Sequence, residues 1–320
     1  MSEALQRAWM RRGALAWLLL PLSLVFSLVV ALRRTAYRTG LASSTRVRVP
    51  VVIVGNVIAG GAGKTPIVRA VVEHLLARGI RVGVVSRGYG RATGDCREVR
   101  PDSLARDVGD EPLLIARSCG VPVFVAPARA EAAGALLQAH PSTQLIVSDD
   151  GLQHYALQRD LEICVFDDRG LGNGWLLPAG PLREPWPRRV DLTLRTRGAN
   201  AIEGFEIRRR LATHAIQGDG TRMALSSLQK RPLCAVAAIA NPDAFFGMLR
   251  SAGLSLSRTI ALSDHHDFEQ PVDAEGELVC TEKDAVKLWR RRPDAWAVPL
   301  EVEIDDAFWR ALDRLVDARL

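Results

Sequence analysis

Three glycines, Gly60, Gly61 and Gly63, stand directly before Lys64 and Thr65, so backbone free to turn left-handed lies beside a cation and a hydroxyl. That combination suits phosphate. Glycines bring N–H groups close to anionic oxygens, and a helix starting near Thr65 aims its positive dipole end at the same place. Lys64 is placed to reach the β- and γ-phosphates of a nucleoside triphosphate, and the Thr65 hydroxyl to ligate Mg²⁺. The residues expected around the nucleotide are Ile58, Ala59, Gly60, Gly61, Ala62, Gly63, Lys64 and Thr65. The strict G-x4-G-K-[ST] pattern calls for glycine at 58, where this chain has Ile58.

A second group of residues supports the first. Leu145-Ile146-Val147-Ser148 is an apolar run closed by Asp149 and Asp150. An apolar strand that carries a carboxylate to the edge of the sheet is the Walker B arrangement, and paired acids there need a cation to offset their repulsion. Asp149 and Asp150 are both candidates for Mg²⁺, and spacing does not separate them. Gln153 and His154 follow closely and can contact nucleotide or orient either acid.

These groups need a scaffold, and the chain supplies one by alternation. Val51 to Val54 is a short β-branched run, followed by the glycine-rich turn and a helical pattern from about Thr65 to Arg78 that stops at Gly79. Further apolar runs at 82–85, 121–125, 145–147 and 163–166 are separated by helical stretches near 111–118 and 129–139. This alternation predicts an α/β fold of P-loop type, a mainly parallel sheet with helices on both faces. After Phe166 the texture changes to GLGNGWLLPAGPLREPWPRR, whose glycines and prolines read as a long functional loop. A second strand and helix series begins near Leu233, with a helix over about 242–251 and strands near 256–262 and 278–280. The organisation expected is a membrane-anchoring helix with a basic collar (1–45), a P-loop core (46–205), a linker (206–230) and a smaller C-terminal α/β domain (231–320).

The anchor is the stretch Ala14 to Leu32, uncharged and flanked by Arg7, Arg11 and Arg12 before and Arg33, Arg34 and Arg38 after. Its length is about that needed to cross a hydrocarbon core of roughly 30 Å. No small-x-small cleavage site follows, which argues against a secretory signal. Pro21 and two serines leave open a helix lying in the interface. The arginines on the C-terminal side, with Arg46 and Arg48, place the following domain on the cytoplasmic face of a membrane.

Composition narrows the rest. The 320 residues carry 42 Lys and Arg against 36 Asp and Glu, a net charge of +6 that favours anionic partners. The arginines are scattered, with no basic run interleaved with aromatics, so nucleic acid is not expected as a partner. Five widely spaced cysteines with no C-x-x-C pair read as reduced, buried thiols. A membrane-tethered P-loop ATPase remains a rival, since it would share the anchor and the nucleotide motifs.

Several segments taken together are more specific than a phosphate loop. They are VGNVIAGGAGKTP at 54–66, SRGYGR at 86–91, GDEP at 109–112, DDGLQH at 149–154, PAGPLREP at 178–185, DHHDF at 264–268 and TEKDAVK at 281–287. With these the chain resembles the tetraacyldisaccharide 4'-kinases of lipid A biosynthesis, over nearly its whole length. The loop without glycine at 58 matches that family's own variant. The resemblance implies transfer of the ATP γ-phosphate to the 4'-hydroxyl of a tetraacyl glucosamine disaccharide 1-phosphate, giving the 4'-phosphorylated lipid A precursor. It implies ATP and Mg²⁺, a bacterial inner-membrane location with a cytoplasmic active site, and action on a lipid at the membrane surface; a monomer is expected, though the sequence does not fix self-association.

A sugar hydroxyl is a poor nucleophile, so a positioned group should take its proton as the bond to phosphorus forms. In the family this role maps to Asp110, assisted by His265, which the D-H-x-x-F pattern favours over His266. A metal site from Asp264, His265, His266 and Asp267 is the rival reading of that cluster. The resemblance supports a site role for Arg183, on the transferring phosphoryl group or on the substrate phosphate, and a similar one for Arg129, expected to bind substrate. Arg87 and Arg91, after the second strand, and Glu111 are assigned to the acceptor side. Thr281-Glu282-Lys283-Asp284 reads as a helix start, with Thr281 as N-cap, and is taken as structural.

Overall fold

The structure is a computed structural model describing residues 3–61, 63–272, 274 and 276–320. The chain divides into two compact units: Met1–Arg87, Ala126–Arg208 and Ile304–Leu320 form the first, and Gly88–Val125 with Arg209–Glu303 the second.

In the first unit five wholly or largely buried strands lie parallel, in the order 192–196, 161–166, 51–55, 145–149, 82–86, with Phe205–Leu211 added parallel beyond 192–196. Buried on both faces, such strands read as unbroken apolar runs, which is why VVIVG, VGVVS and LIVSD were legible. Helices Lys64–Ala77 and Arg129–Ala139 pack on this sheet. Gly83 matters to that packing, because a Cβ there would stand 2.7 Å from Leu136 Cδ2. The strand Val51–Gly55 sits between its neighbours 145–149 and 161–166, so the phosphate loop leaves the middle of the sheet.

The last helix, Asp306–Asp317, joins this unit through Phe308, Leu312 and Val316, all buried. His74 stacks on Trp309 with ring centroids 4.3 Å apart, and Arg78 bonds Asp313 and Asp317 at 3.0 and 2.6 Å.

The N-terminal helix runs from Ala14 to Arg38, past the apolar stretch, and only Ala16 and Ser23 are buried along it. Trp17, Leu18, Leu22, Leu24, Val25, Leu28, Val29 and Leu32 are exposed. One edge rests on the Gly/Pro-rich segment: Ser23 Oγ donates to Leu176 O at 2.8 Å, and Trp17 meets Trp175 edge to face at 4.9 Å. Trp9 Nε1 adds a bond to Pro178 O at 2.9 Å. Residues 167–190 form neither helix nor strand, in keeping with the long loop expected there.

The second unit carries a sheet in the order 222–224, 214–216, 296–298, 277–281, 233–237, 256–261, parallel through its last four strands. Alternate residues of the central strands face opposite cores. Leu233, Ala235, Ala237 and Val279 pack with Phe245, Phe246 and Leu249, while Cys234, Val236, Leu278 and Cys280 pack with Ala285 and Leu288. Helix Pro242–Ser251 thus covers one face and helix Glu282–Leu288 the other. The unit also holds the antiparallel pair 97–99 and 123–125 and helix Asp110–Cys119.

This division differs from the linear one expected. Residues 88–125 group with 209–303, and 304–320 return to the first unit. The stretch 206–230, expected as a linker, holds most of strand Phe205–Leu211 and the strands His214–Ile216 and Arg222–Ala224. Short, half-exposed strands rich in arginine carry little periodic signal. Of the five cysteines, all free thiols, Cys164, Cys234 and Cys280 are buried as expected, whereas Cys96 and Cys119 are half-buried.

Candidate active site

The phosphate loop is built from the sheet outward. Its first half is pinned: Ile58 pairs with Leu182, Ala59 N–H donates to Pro181 O at 2.7 Å, and Arg183 N–H to Val57 O at 2.7 Å. The Ile58 side chain is fully buried, so an isoleucine where the strict pattern has glycine serves as a core residue. The second half turns left-handed at Gly60 (φ 87°) and Gly63 (φ 62°), conformations that favour glycine. Helix Lys64–Ala77 begins at Gly63 without a side-chain cap, leaving its first N–H groups to an anion. Ala62 lies outside the described residues.

Lys64 is buried, with Nζ 3.4 Å from Asp150 Oδ1 and 3.5 Å from Asn56 Oδ1. Asp149 ends its strand, buried, and accepts from Ser86 Oγ at 3.1 Å. Asp150 follows in a left-handed conformation, φ 48°, uncommon for a residue with a Cβ. Its carboxylate takes Arg183 Nη1 at 3.1 and 3.3 Å. Burial works against its charge, but Lys64 and Arg183 outweigh this and hold its pKa below the ordinary value.

Gln153 bridges the two motifs, giving Nε2 to Asn56 O at 3.0 Å and accepting from Arg183 Nη1 at 3.5 Å. Arg129, 6% exposed, donates to the backbone carbonyls of Asp149 and Asp150 at 3.5 and 3.2 Å. His154 accepts the Arg129 N–H at Nε2, 3.1 Å away, and burial with the nearby Arg129 charge pushes its pKa down to about 4. Arg87, just after strand Val82–Ser86, is exposed.

Thr65, Asp149 and Asp150 together offer hard oxygen donors, the kind Mg²⁺ takes, and among the described residues no three His, Cys, Asp or Glu side chains converge to hold a metal alone. A site with few protein ligands fits an ion that keeps water and phosphate oxygens in its shell.

The second constellation lies wholly in the second unit. Asp110 opens helix Asp110–Cys119 just after Gly109, whose φ of 92° makes the turn. Gly109 and Gly88 pack face to face: a Cβ on Gly109 would come within 3.0 Å of Gly88 Cα, which explains one glycine in each of SRGYGR and GDEP. Asp110 is 4% exposed and its Oδ1 accepts the Glu111 N–H at 2.9 Å. His265, not His266, meets it, with Nδ1 2.9 Å from Oδ2 and 3.2 Å from Oδ1. His266 instead accepts the Phe268 N–H at 3.0 Å. His265 has φ 64°, and the left-handed turn aims its ring at Asp110 while Phe268 is buried below.

Two lysines complete the cluster. Lys287 Nζ lies 3.2 Å from Asp110 Oδ2, and Lys283 Nζ lies 3.0 Å from Glu111 Oε1 and 3.4 Å from His265 Nε2. Burial raises the Asp110 pKa, but the His265 bond and the charges of Lys283 and Lys287 more than reverse this and hold it far below the usual carboxylate range. His265 moves the other way: its bond to Asp110 raises its pKa, against burial and Lys283.

Arg91 lies in the same unit, its Nη1 and Nη2 buried without a hydrogen-bond partner. Thr281 caps its helix as expected, accepting the Asp284 N–H at 3.1 Å. Yet TEKDAVK is more than a cap, because Lys283 and Lys287 both reach the Asp110 cluster. Their i, i+4 spacing, which puts both on one helix face, was the signal available in the sequence. Ser86 and Arg169 were likewise not singled out.

A phosphate loop on a central parallel strand, with paired aspartates on the adjoining strand, makes the first unit a P-loop nucleotide-binding unit. The second unit carries a buried carboxylate joined to an imidazole, a pairing suited to proton transfer, and a chain with both features falls in the class of P-loop kinases.

The chain belongs to the tetraacyldisaccharide-1-P 4'-kinase family, whose profile matches residues 15–317. It is 60% identical over 319 residues to the tetraacyldisaccharide 4'-kinase of Acidovorax sp. (strain JS42), covering 98% of this chain and 94% of that one. Identity to the enzyme of the same name from Polaromonas naphthalenivorans is 55%, over 99% of this chain and 95% of that one. A crystal structure of LpxK from Aquifex aeolicus in complex with ATP superposes with a TM-score of 0.83 at 28% identity, covering 94% of this chain and 99% of the other.

Proposed function

We propose that the protein transfers the γ-phosphate of ATP to the 4'-hydroxyl of a tetraacyl disaccharide 1-phosphate, producing the 4'-phosphorylated lipid A precursor. The observation that carries this reading is the buried Asp110 carboxylate with His265 2.9 Å away. The triphosphate is cradled by the loop from Gly60 to Thr65, and Lys64 exchanges its contacts with Asp150 and Asn56 for β- and γ-phosphate oxygens. Ile58 and Ala59 shape the loop from below, and Gln153 links it to Arg183. Thr65, Asp149 and Asp150 would hold Mg²⁺, which would supply positive charge to offset the negative charge of the triphosphate.

Asp110 accepts the hydroxyl proton as the new O–P bond forms and the bond to the β-phosphate oxygen breaks, releasing ADP. A carboxylate with so low a pKa is a weak base, and in a loose transition state the proton leaves late, so orientation counts for more than basicity. His265 supplies that orientation. Arg183 stabilises charge on the transferring group. Arg91, with unpartnered guanidinium nitrogens, suits an anionic group of the acceptor, and Arg87 and Glu111 are further acceptor-binding residues in this reading. Arg129 acts from behind the paired aspartates.

The helix Ala14–Arg38, the one described helix long and apolar enough to cross a membrane, holds the enzyme at the cytoplasmic face of the inner membrane, where the acyl chains of the substrate reside. The test is transfer of label from γ-labelled ATP to tetraacyl disaccharide 1-phosphate in micelles. Labelled lipid, reduced about a hundredfold or more in Lys64→Ala and Asp110→Ala, supports the reading. ATP hydrolysis without labelled lipid overturns it.

A further inference from the structure

Five polar side chains of the first unit, none of them used in the phosphoryl transfer, are joined in series: Tyr155, Glu184, Arg188, Glu162 and Arg159. The Tyr155 hydroxyl donates to Glu184 Oε1 at 2.6 Å, and Arg188 Nη1 donates to Glu184 Oε2 at 2.9 Å. Arg188 Nη2 turns the other way, to Glu162 Oε2, and Arg159 Nη1 donates to Glu162 Oε1 at 3.0 Å. The Arg159 guanidinium then lies over the Tyr155 ring, 5.1 Å from its centroid, which closes the circuit.

All four carboxylate oxygens thus have a donor, and two guanidinium groups balance two carboxylates. Glu184 and Arg188 are 2% and 7% exposed. Taking such charges out of water is costly, and apolar side chains of similar volume would be as stable or more so, which means that stability alone does not account for them. Burial and then the Glu184 bond push the Tyr155 pKa up, so the phenol keeps its proton and remains a donor.

Both ends of the circuit arrive at Arg183. Glu184 is the next residue in the chain and shares a planar peptide with it. At the other end Arg159 donates to the carbonyl oxygens of Leu152, at 2.9 Å, and of His154. Those carbonyls stand on either side of Gln153, whose Oε1 accepts from Arg183 Nη1 at 3.5 Å. The same Nη1 lies 3.1 Å from Asp150 Oδ2.

We infer that Tyr155 and Arg188 are positioning residues, which fix Glu184 and the segment around Gln153 so that the Arg183 guanidinium is held in place for phosphoryl transfer. The inference rests on the reading of Arg183 as the group that stabilises charge on the transferring phosphoryl. Without the Tyr155 hydroxyl, Glu184 is held by Arg188 alone and Arg183 gains freedom at the moment charge develops. The loss therefore falls on kcat, while the KM for ATP, set by the phosphate loop and Lys64, stays near that of the wild type.

The experiment measures kcat and the KM for ATP on the full chain in micelles of tetraacyl disaccharide 1-phosphate, with folding checked by thermal unfolding. Tyr155→Phe keeps the ring under Arg159 and removes only the hydroxyl. Arg188→Lys keeps the charge and loses the fork between two carboxylates. Each should lower kcat by about tenfold and leave the KM for ATP within about twofold. In an Arg183→Ala background, itself reduced about a hundredfold, either change should cost no more than about twofold further, because the group being positioned is gone. Losses that multiply in full in that background overturn the inference, as does a wild-type kcat in either folded variant or an effect confined to KM. If one variant fails to fold the other decides, and if neither folds the circuit serves folding and the inference fails. A normal kcat in Arg183→Ala removes Arg183 from the reaction and with it the reading on which the inference stands. A low kcat there beside normal values in Tyr155→Phe and Arg188→Lys sinks the positioning role alone.

Discussion

Arg169 donates from Nη1 to the carbonyl oxygen of Ala59 at 3.1 Å, reaching the phosphate loop from the segment after strand Leu161–Phe166. Its Nη2 takes the Gly61 carbonyl at 3.2 Å, and Nε and Nη2 fork onto Asp167 at 2.7 to 3.1 Å. A planar peptide points its N–H opposite to its carbonyl, so holding the Ala59 oxygen turns the Gly60 N–H away from Arg169. The guanidinium thereby sets the direction of an N–H in the loop proposed to hold phosphate.

Arg169→Met is therefore expected to raise the KM for ATP by about tenfold, the loss of one or two charge-assisted bonds, with a smaller effect on kcat. Arg169→Lys should recover little, because one ammonium cannot span two carbonyls and the Asp167 fork. Steady-state kinetics varying ATP, with calorimetric titration of a non-hydrolysable analogue, check this. An unchanged KM in a folded Arg169→Met would remove the residue from loop positioning.

Asp284 is fully buried, and its Oδ2 accepts the Ala238 N–H at 3.0 Å and the Thr281 hydroxyl at 2.7 Å. It ties the start of helix Glu282–Leu288, and hence Lys283 and Lys287, to the end of strand Leu233–Ala237. Burial raises its pKa, against the opposing pull of those two bonds. With a folded-state pKa above the unfolded one, its contribution to stability is full at low pH and declines as pH rises through the folded value. Asp284→Ala should cost about 2–3 kcal/mol by stranding the Ala238 N–H. Asp284→Asn should cost less than about 1 kcal/mol and lose this pH dependence. Denaturant unfolding across pH reads both outcomes, and equal losses for Ala and Asn would mean that shape, not hydrogen bonding, is what Asp284 supplies.

What the sequence made legible follows from how locally each feature is encoded. Strands buried on both faces announce themselves as apolar runs, and the phosphate loop and the paired aspartates are each continuous in sequence. The Asp110–His265 pair spans 155 residues and was approached only through resemblance. Lys283 and Lys287 were hidden by a correct but incomplete reading, since Thr281 does cap the helix they share. The unit boundaries were not legible, because which sheet a strand joins depends on partners far along the chain. Strands such as 205–211, with arginines at 208, 209 and 210, look like solvated loop until the neighbouring strand is known.

The apolar face of the N-terminal helix gives the last expectation. Leu18, Val25 and Leu32 are 75%, 60% and 62% exposed, while Ser23 and Trp17 hold the helix to Leu176 and Trp175. Leucine side chains left in water forgo about 2 kcal/mol each relative to burial, so a surface of this kind is expected to be covered, and lipid is the cover expected here. Arg33, Arg34 and Arg38 at its C-terminal end add attraction to anionic headgroups. Changing Leu18, Val25 and Leu32 together to Asp places three charges in that layer, at about 2–3 kcal/mol apiece near its centre, enough to abolish binding. In vesicle flotation the wild type should rise with anionic liposomes and the triple variant should stay at the bottom. Nucleotide affinity, set by the loop and Arg169, should be unchanged in the variant. Co-flotation of the triple variant would mean that another surface carries the membrane contact.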